Sequence, residues 1–302
     1  MNRKIISFAL AGLFILLFIK NDIVAKGITD GFELWYRAVI PALFPYMLLG
    51  SIVINGGYGY AFRLVGIPLC KILRTGRDNS FCIVAGMLFG LPAGSVFANE
   101  MYENKMSDRD NAEFIVCCFN NISPAFIIGY LCRYIIQTEK TIIIMTLYFM
   151  TIIFSAIIIR YTIFRSIKIP TSDNSRTMIS KPDYLLIIRK TIWNLVKIGL
   201  WIVLFSVLGE ILRHSEPGKY LSMLLEITTG LRRGKDVITD ERLLVAVSFA
   251  VSVFGGFCAI FQTKTAVSEK IFSIKKYIYS KLIATFVAII IIVPAVYVLE
   301  II

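Results

Sequence analysis

Apolar residues along this chain gather in long blocks instead of alternating with polar ones. Seven blocks, 5–24, 32–54, 113–136, 141–164, 191–212, 243–262 and 282–298, approach or exceed the roughly 20 apolar residues that cross a bilayer. Their continuous runs of Ile, Leu, Phe and Val lack the two-residue period of a barrel, so the pattern predicts helices. The expected fold class is an all-α integral membrane protein, a polytopic helix bundle.

Two stretches depart from the pattern. Residues 80–98 are apolar but carry Gly90, Pro92, Gly94 and Ser95 at their middle, where a helix must break. Residues 221–231 are too short to span and contain Gly230. Basic residues decide how both are read. Arg3 and Lys4 place the N-terminus inside, and Arg63, Lys71, Arg74 and Arg77 mark the next cytoplasmic loop. The hydrophilic stretch 165–190, with Arg165, Lys168, Arg176, Lys181, Arg189 and Lys190, is the strongest cytoplasmic signal. A third basic loop holds Lys264, Lys270, Lys275, Lys276 and Lys281, and Glu300 falls outside. Full crossings at 80–98 and 221–231 would put these loops on the wrong side. Both segments are therefore expected to be re-entrant helical hairpins, entering from opposite faces.

The order of elements then repeats. An opening helix (Trp35 to Gly50, and Trp193 to Gly209) is followed by a hairpin, an interrupted helix and a closing helix. The interruptions are Phe119-Asn120-Asn121-Ile122-Ser123-Pro124 and Phe254-Gly255-Gly256-Phe257. The opening helices run in opposite directions, the inverted-topology pattern of secondary transporters with a midplane site. The expected organisation is an N-terminal transmembrane helix (1–30), a first half (31–164), a basic cytoplasmic linker (165–190) and a second half (191–302).

Composition adds constraints. The chain has 302 residues, 57% hydrophobic, and a net charge of +12 that sits in loops flanking spans. Topology accounts for that charge, so no nucleic-acid partner is expected. The segment after Arg3 and Lys4 resembles a signal-peptide core, but Ile23-Val24-Ala25 is a poor cleavage context, which favours a retained helix. Six cysteines without a CxxC pair read as small buried thiols, and no metal site is expected. The single His214 and the absence of HExxH or Ser-His-Asp patterns argue against an enzyme. Glu100, Glu103, Asp108, Asp110 and Glu113 read as a solvated loop or helix start, with Ser107 positioned to cap the following helix.

The candidate substrate-binding residues cluster at the breaks. Asn120, Asn121 and Ser123 sit in an apolar segment beside Pro124, where freed carbonyls and amides can coordinate a solute or cation; interhelical hydrogen bonding is the blander account. Gly90, Pro92, Gly94 and Ser95 would form a hairpin tip presenting a half-helix N-terminus, or simply pack closely. Glu226, with Thr228 and Thr229, would put a carboxylate at membrane depth, a functional position by default, unless water reaches it at the outer interface. Gly255, Gly256, Gln262 and Thr263 are weaker candidates. Arg37 and Lys197 lie within the opening helices, where they would attract a dicarboxylate or snorkel to the interface.

Leu34-Trp35 with Pro41-Ala42-Leu43-Phe44-Pro45, then Gly90-Leu91-Pro92-Ala93-Gly94-Ser95, then Asn120-Asn121-Ile122-Ser123-Pro124 resemble the nucleoside-recognition "Gate" domain membrane proteins. Glu226-Ile227-Thr228-Thr229-Gly230-Leu231 and Phe254-Gly255-Gly256 are similar to that family too, and the resemblance covers roughly residues 31–265. Within it the likeness points to sporulation integral membrane proteins implicated in dipicolinate movement and spore cortex formation. That resemblance implies a secondary permease for a small organic anion such as dipicolinate, in the outer forespore membrane. A nucleoside-type metabolite is the other implied substrate, and a non-transporting factor in cortex or envelope assembly is the rival role. Implied partners are the lipid bilayer, a small-molecule substrate, and either a homo-oligomer or a second Gate-domain protein. No cofactor is implied, and the coupling ion, proton or sodium, stays open.

Overall fold

The computed structural model describes residues 3–167 and 182–298. Helix α1 is Arg3–Ile19. Helix α2 (Asn21–Leu34) continues through a π-helical turn at Trp35–Val39 into α3 (Ile40–Asn55), making one 35-residue helical rod. Then come α4 (Tyr60–Ile72), α5 (Ser80–Leu88), α6 (Ala93–Glu103) and α7 (Arg109–Cys118). Helix α8 (Pro124–Phe126) is extended by a π-helix at Ile127–Ile136, and α9 is Thr141–Thr162. The remainder comprises α10 (Tyr184–Leu212), α11 (Glu216–Ser222), α12 (Ile227–Val237), α13 (Glu241–Phe254), α14 (Gly256–Ala266) and α15 (Ile274–Val298). The described residues contain no strand.

Five of these helical segments are long and apolar enough to cross a membrane: Asn21–Asn55, Thr141–Thr162, Tyr184–Leu212, Glu241–Ala266 and Ile274–Val298. Large apolar side chains such as Ile142, Leu200, Phe286 and Tyr297 face outward, an exterior that suits lipid. The chain is thus an all-helical, multi-pass membrane protein. Its first helix ends sooner than the sequence pattern predicts, and the second begins sooner. Asn21, Asp22, Lys26 and Asp30 stay helical because α2 packs along α10 on its glycine face. A Cβ at Gly27 would lie 2.7 Å from Val207 Cα, and one at Gly31 2.8 Å from Val203 Cα. Trp35 lies over Gly199 and donates its Nε1 to the Leu195 carbonyl at 3.0 Å. Small residues spaced by four permit this approach. The rising numbers on α2 meet falling numbers on α10, so the two helices are antiparallel.

Two helical hairpins fill the space between the long helices. In α5–α6 the turn is Phe89–Pro92, with Gly90 at φ +90°. Its base lies beside the C-terminal end of α3, where Ser51 Oγ donates to Glu100 at 2.6 Å. In α11–α12 the turn is Met223–Glu226, and its base lies beside the C-terminal end of α10, where Arg233 meets Glu210 at 3.4 Å. Since α3 and α10 are antiparallel, the bases sit at opposite ends and both turns reach the middle. There Leu91 and Leu225 flank Gly255 and Gly256: Leu91 Cδ1 lies 3.3 Å from where a Gly255 Cβ would be, and Leu225 O lies 3.2 Å from that of Gly256.

Several expectations change. Gly94 and Ser95 belong to α6, not to the turn, because the break is complete by Pro92. Glu100 and Glu113 are buried, not solvated, because Ser51 and Lys276 bind them at 2.6 Å each. Asp108, not Ser107, caps α7, accepting from the Asn111 backbone N–H at 2.9 Å. Lys281 is not in a basic loop; α15 starts at Ile274 and carries it into the interior, 2% exposed. Of the linker 165–190, the stretch 168–181 with Lys168, Arg176 and Lys181 lies outside the described residues, as does Glu300.

Candidate functional site at the convergence of four breaks

Both interrupted helices break where the sequence places the break. Helix α7 ends at Cys118, and Ser123 restarts the chain as the cap of α8, its Oγ accepting from Phe126 N at 3.2 Å, with Pro124 at the first helical position. Between α13 and α14, Gly255 and Gly256 take φ of +85° and +80°, a consecutive pair that residues with a Cβ rarely adopt. The first N–H groups of α14 are not left bare. Phe257 N and Cys258 N donate to Leu224 O and Leu225 O of the α11–α12 turn, each at 2.8 Å.

The two hairpin turns and the two breaks enclose a partly open cavity of about 300 Å³. Phe89, Gly90 and Leu91 reach it from one hairpin, Glu226 and Thr228 from the other, and Ser123 and Gly255 from the breaks. Ala42, Ile198 and Ile202 supply apolar wall from α3 and α10. Its polar groups are Ser123, Tyr130, Glu226, Thr228 and Gln262, and no Lys or Arg is among the described residues that line it. An apolar cavity with a few fixed polar groups suits a flat organic solute held by a small number of hydrogen bonds.

Of the residues singled out from the sequence, Gly90, Ser123, Glu226, Thr228, Gly255 and Gln262 line this cavity. Glu226 is the N-cap of α12: its carboxylate accepts from Thr228 N at 3.1 Å and Thr229 N at 2.8 Å. The negative charge therefore sits on the helix end that attracts it. Tyr130 Oη donates to Thr228 O at 2.6 Å and ties the π-helix to this hairpin.

The others stand behind the wall. Asn120 is fully buried and donates Nδ2 to Thr263 Oγ1 at 2.7 Å and to Tyr277 Oη at 3.0 Å. Asn121 donates to Cys118 O at 2.8 Å. Gly94 faces Gly86, and the Phe119 carbonyl oxygen fits between them, 2.1 Å and 1.9 Å from where their Cβ atoms would be. Ser95 is fully buried with its Oγ unpartnered among the described residues. Thr229 packs within the hairpin, and Gly256 sits against the Leu225 carbonyl. Arg37 pairs with Glu33 at 3.0 Å on an exposed helix face, and Lys197 donates to Thr265 O at 3.1 Å. Neither reaches the cavity. The six cysteines are free and buried.

Sequence reasoning missed Tyr130, Tyr148, Tyr277 and Lys281. Tyr148 Oη accepts from Ile122 N at 3.2 Å, and Lys281 Nζ donates to Asn120 O at 2.7 Å. Tyr130 and Tyr148 lie within apolar blocks, where they read as ordinary packing residues, and Tyr277 follows Lys275 and Lys276 in the stretch read as a basic loop. The available signal for Lys281 was its position one residue before an apolar run, which also fits a helix already under way. No family model, curated protein or solved structure matches the chain.

Proposed function

We propose that this chain is a secondary permease for a small organic solute, built as an inverted repeat around the central cavity. One observation carries the reading: two hairpin turns based at opposite ends and two helix breaks converge on one cavity. A scaffold has no use for four interrupted backbones at one depth, whereas a solute site does, because irregular backbone at membrane depth is tolerated where it lines a cavity. In this reading α3 and α10 open the two halves, α5–α6 and α11–α12 are re-entrant hairpins, and α9 and α15 close them. The antiparallel run of α3 and α10 supports the inversion, and the Gate-like motifs at 90–95, 120–124, 226–231 and 254–256 fall at the same turns and breaks.

The lining bears on the solute. An organic dianion such as dipicolinate would find no cationic side chain among the described lining residues and a carboxylate, Glu226, in the wall. The cavity chemistry favours the nucleoside-type alternative: a flat, largely uncharged metabolite against Phe89 and Leu91, with hydrogen bonds to Ser123, Gln262 and Tyr130.

The test is uptake by the purified chain in liposomes, offered labelled nucleosides and labelled dipicolinate in parallel. The expected result is saturable nucleoside uptake abolished by Ala42→Trp, which fills the cavity from an exposed helix position. Dipicolinate uptake with the same sensitivity would restore the anion reading. Uptake of neither, by a folded protein, would favour the non-transporting role in envelope assembly.

A further inference from the structure

Lys281 is a buried amine with no acidic partner among the described residues. It sits eight residues into a 25-residue apolar helix and is 2% exposed. Among the described residues no carboxylate pairs with it; Glu113, the nearest acid on α7 in sequence, is taken by Lys276 at 2.6 Å. Its Nζ instead donates to Asn120 O at 2.7 Å and Asn121 Oδ1 at 3.3 Å, and stands 5.7 Å from the centre of the Tyr277 ring. The other titratable groups on the helix end it faces are the buried thiols of Cys117 and Cys118.

Those oxygens belong to the unwound end of α7. A helix C-terminus leaves its last carbonyls without intrahelical donors and carries partial negative charge. Three carbonyls at this end are accommodated in different ways. Cys118 O receives the Asn121 amide, Phe119 O rests in the Gly86–Gly94 notch, and Asn120 O receives Lys281. Backbone and amide oxygens at a broken helix end are the ligand set that holds a hard monovalent cation in transporters. A buried side-chain amide oxygen, Asn120 Oδ1, is also unpartnered among the described residues.

We propose that the Lys281 ammonium is a tethered cation standing where a transporter of this architecture would bind an alkali ion, so that the break at α7 needs no sodium. The covalent stem keeps the nitrogen at the helix end, 2.7 Å from Asn120 O, without an ion from solution. This deepens the permease reading, on which its meaning for coupling rests.

The experiment needs no transported solute, so it can fail separately from that reading. Thermal unfolding of the full chain in detergent is followed in choline, sodium, lithium and potassium chloride at matched ionic strength, and in methylammonium chloride. The unsubstituted protein is expected to melt at one temperature in all of these salts. Lys281→Ala should melt lower and regain at least about 3 °C, saturably, in one small cation but not in choline. Lys281→Met, which fills the space without charge, should melt lower and regain nothing. Saturable sodium stabilisation of the unsubstituted protein would overturn the proposal, as would Lys281→Ala that no small cation rescues. If Lys281→Ala does not fold, Lys281→Arg decides: retained folding without ion dependence supports a tethered charge, and unfolding of that variant too counts against it.

Discussion

Gly94 has no room for a side chain, because a Cβ on it would stand 2.1 Å from the carbonyl oxygen of Phe119. The contact joins the α5–α6 hairpin to the end of α7, and Gly86 closes it from the other side. Backbone on one side and a helix end on the other leave nothing flexible to yield. Gly94→Ala is expected to cost about 1–3 kcal/mol and lower the melting temperature by several degrees. Ser95→Ala, one residue on, removes only an unpartnered hydroxyl and should be neutral or slightly stabilising. Thermal unfolding of the two variants side by side checks the contrast.

Glu226 caps α12 with both carboxylate oxygens. Glu226→Ala should cost about 1–2 kcal/mol by leaving the Thr228 and Thr229 N–H groups bare. Glu226→Gln keeps one oxygen acceptor and should lose less than half as much. Proteoliposome uptake separates capping from coupling: if the charge itself drives transport, the Gln variant loses uptake while keeping its stability.

Glu100 makes stability depend on pH. Burial pushes its carboxyl up from 4.5 to about 7, although Ser51 and Asn55 donate to it and favour the ionised form. The folded chain thus holds a proton that the unfolded chain has released between those two values. Stability from this group is fully present below about 4.5 and falls as pH rises towards about 7, by an amount on the order of 1–3 kcal/mol. Glu100→Gln should flatten that part of the melting-temperature profile. A profile that keeps its slope in the variant assigns the effect to other groups.

Arg160 closes the end of α9 by giving Nε to Leu73 O at 2.7 Å, Nη1 to Phe164 O at 2.6 Å and Nη2 to Ile167 O at 3.0 Å. Lysine has the charge but not the planar fork, so it cannot reach three separated carbonyls. Arg160→Lys is expected to lose about 2–3 kcal/mol, and limited proteolysis should cut near residue 73 or 167 sooner than in the unsubstituted protein.

The breaks were legible in the sequence because each carries its own local cause. Pro92 and the Gly255–Gly256 pair sit where helices break and Pro124 where one restarts, and the cavity assembles from those points, while Pro45, Pro68 and Pro294 are absorbed within continuous helices. What a break faces was not legible. Asn120 and Asn121 look like solute ligands until Thr263, Tyr277 and Lys281 claim them from more than a hundred residues away. Glu100 and Glu113 read as solvated because their partners Ser51 and Lys276 lie 49 and 163 positions off. Lys281 read as a loop residue because charge beside an apolar run normally marks a membrane boundary.

The rod formed by α2 and α3 is taller than the lipid can hide. Thirty-five residues rise about 52 Å, against a hydrocarbon layer of about 30 Å. Leaning by about 40°, near the limit seen for such helices, still leaves roughly 10 Å of it uncovered. Its Asn21 end, with Lys26 joined to Glu210 and Arg232 beside Asp30, therefore stands among headgroups or in water. Thicker bilayers should draw that charged post inward, and the antiparallel α10 with it.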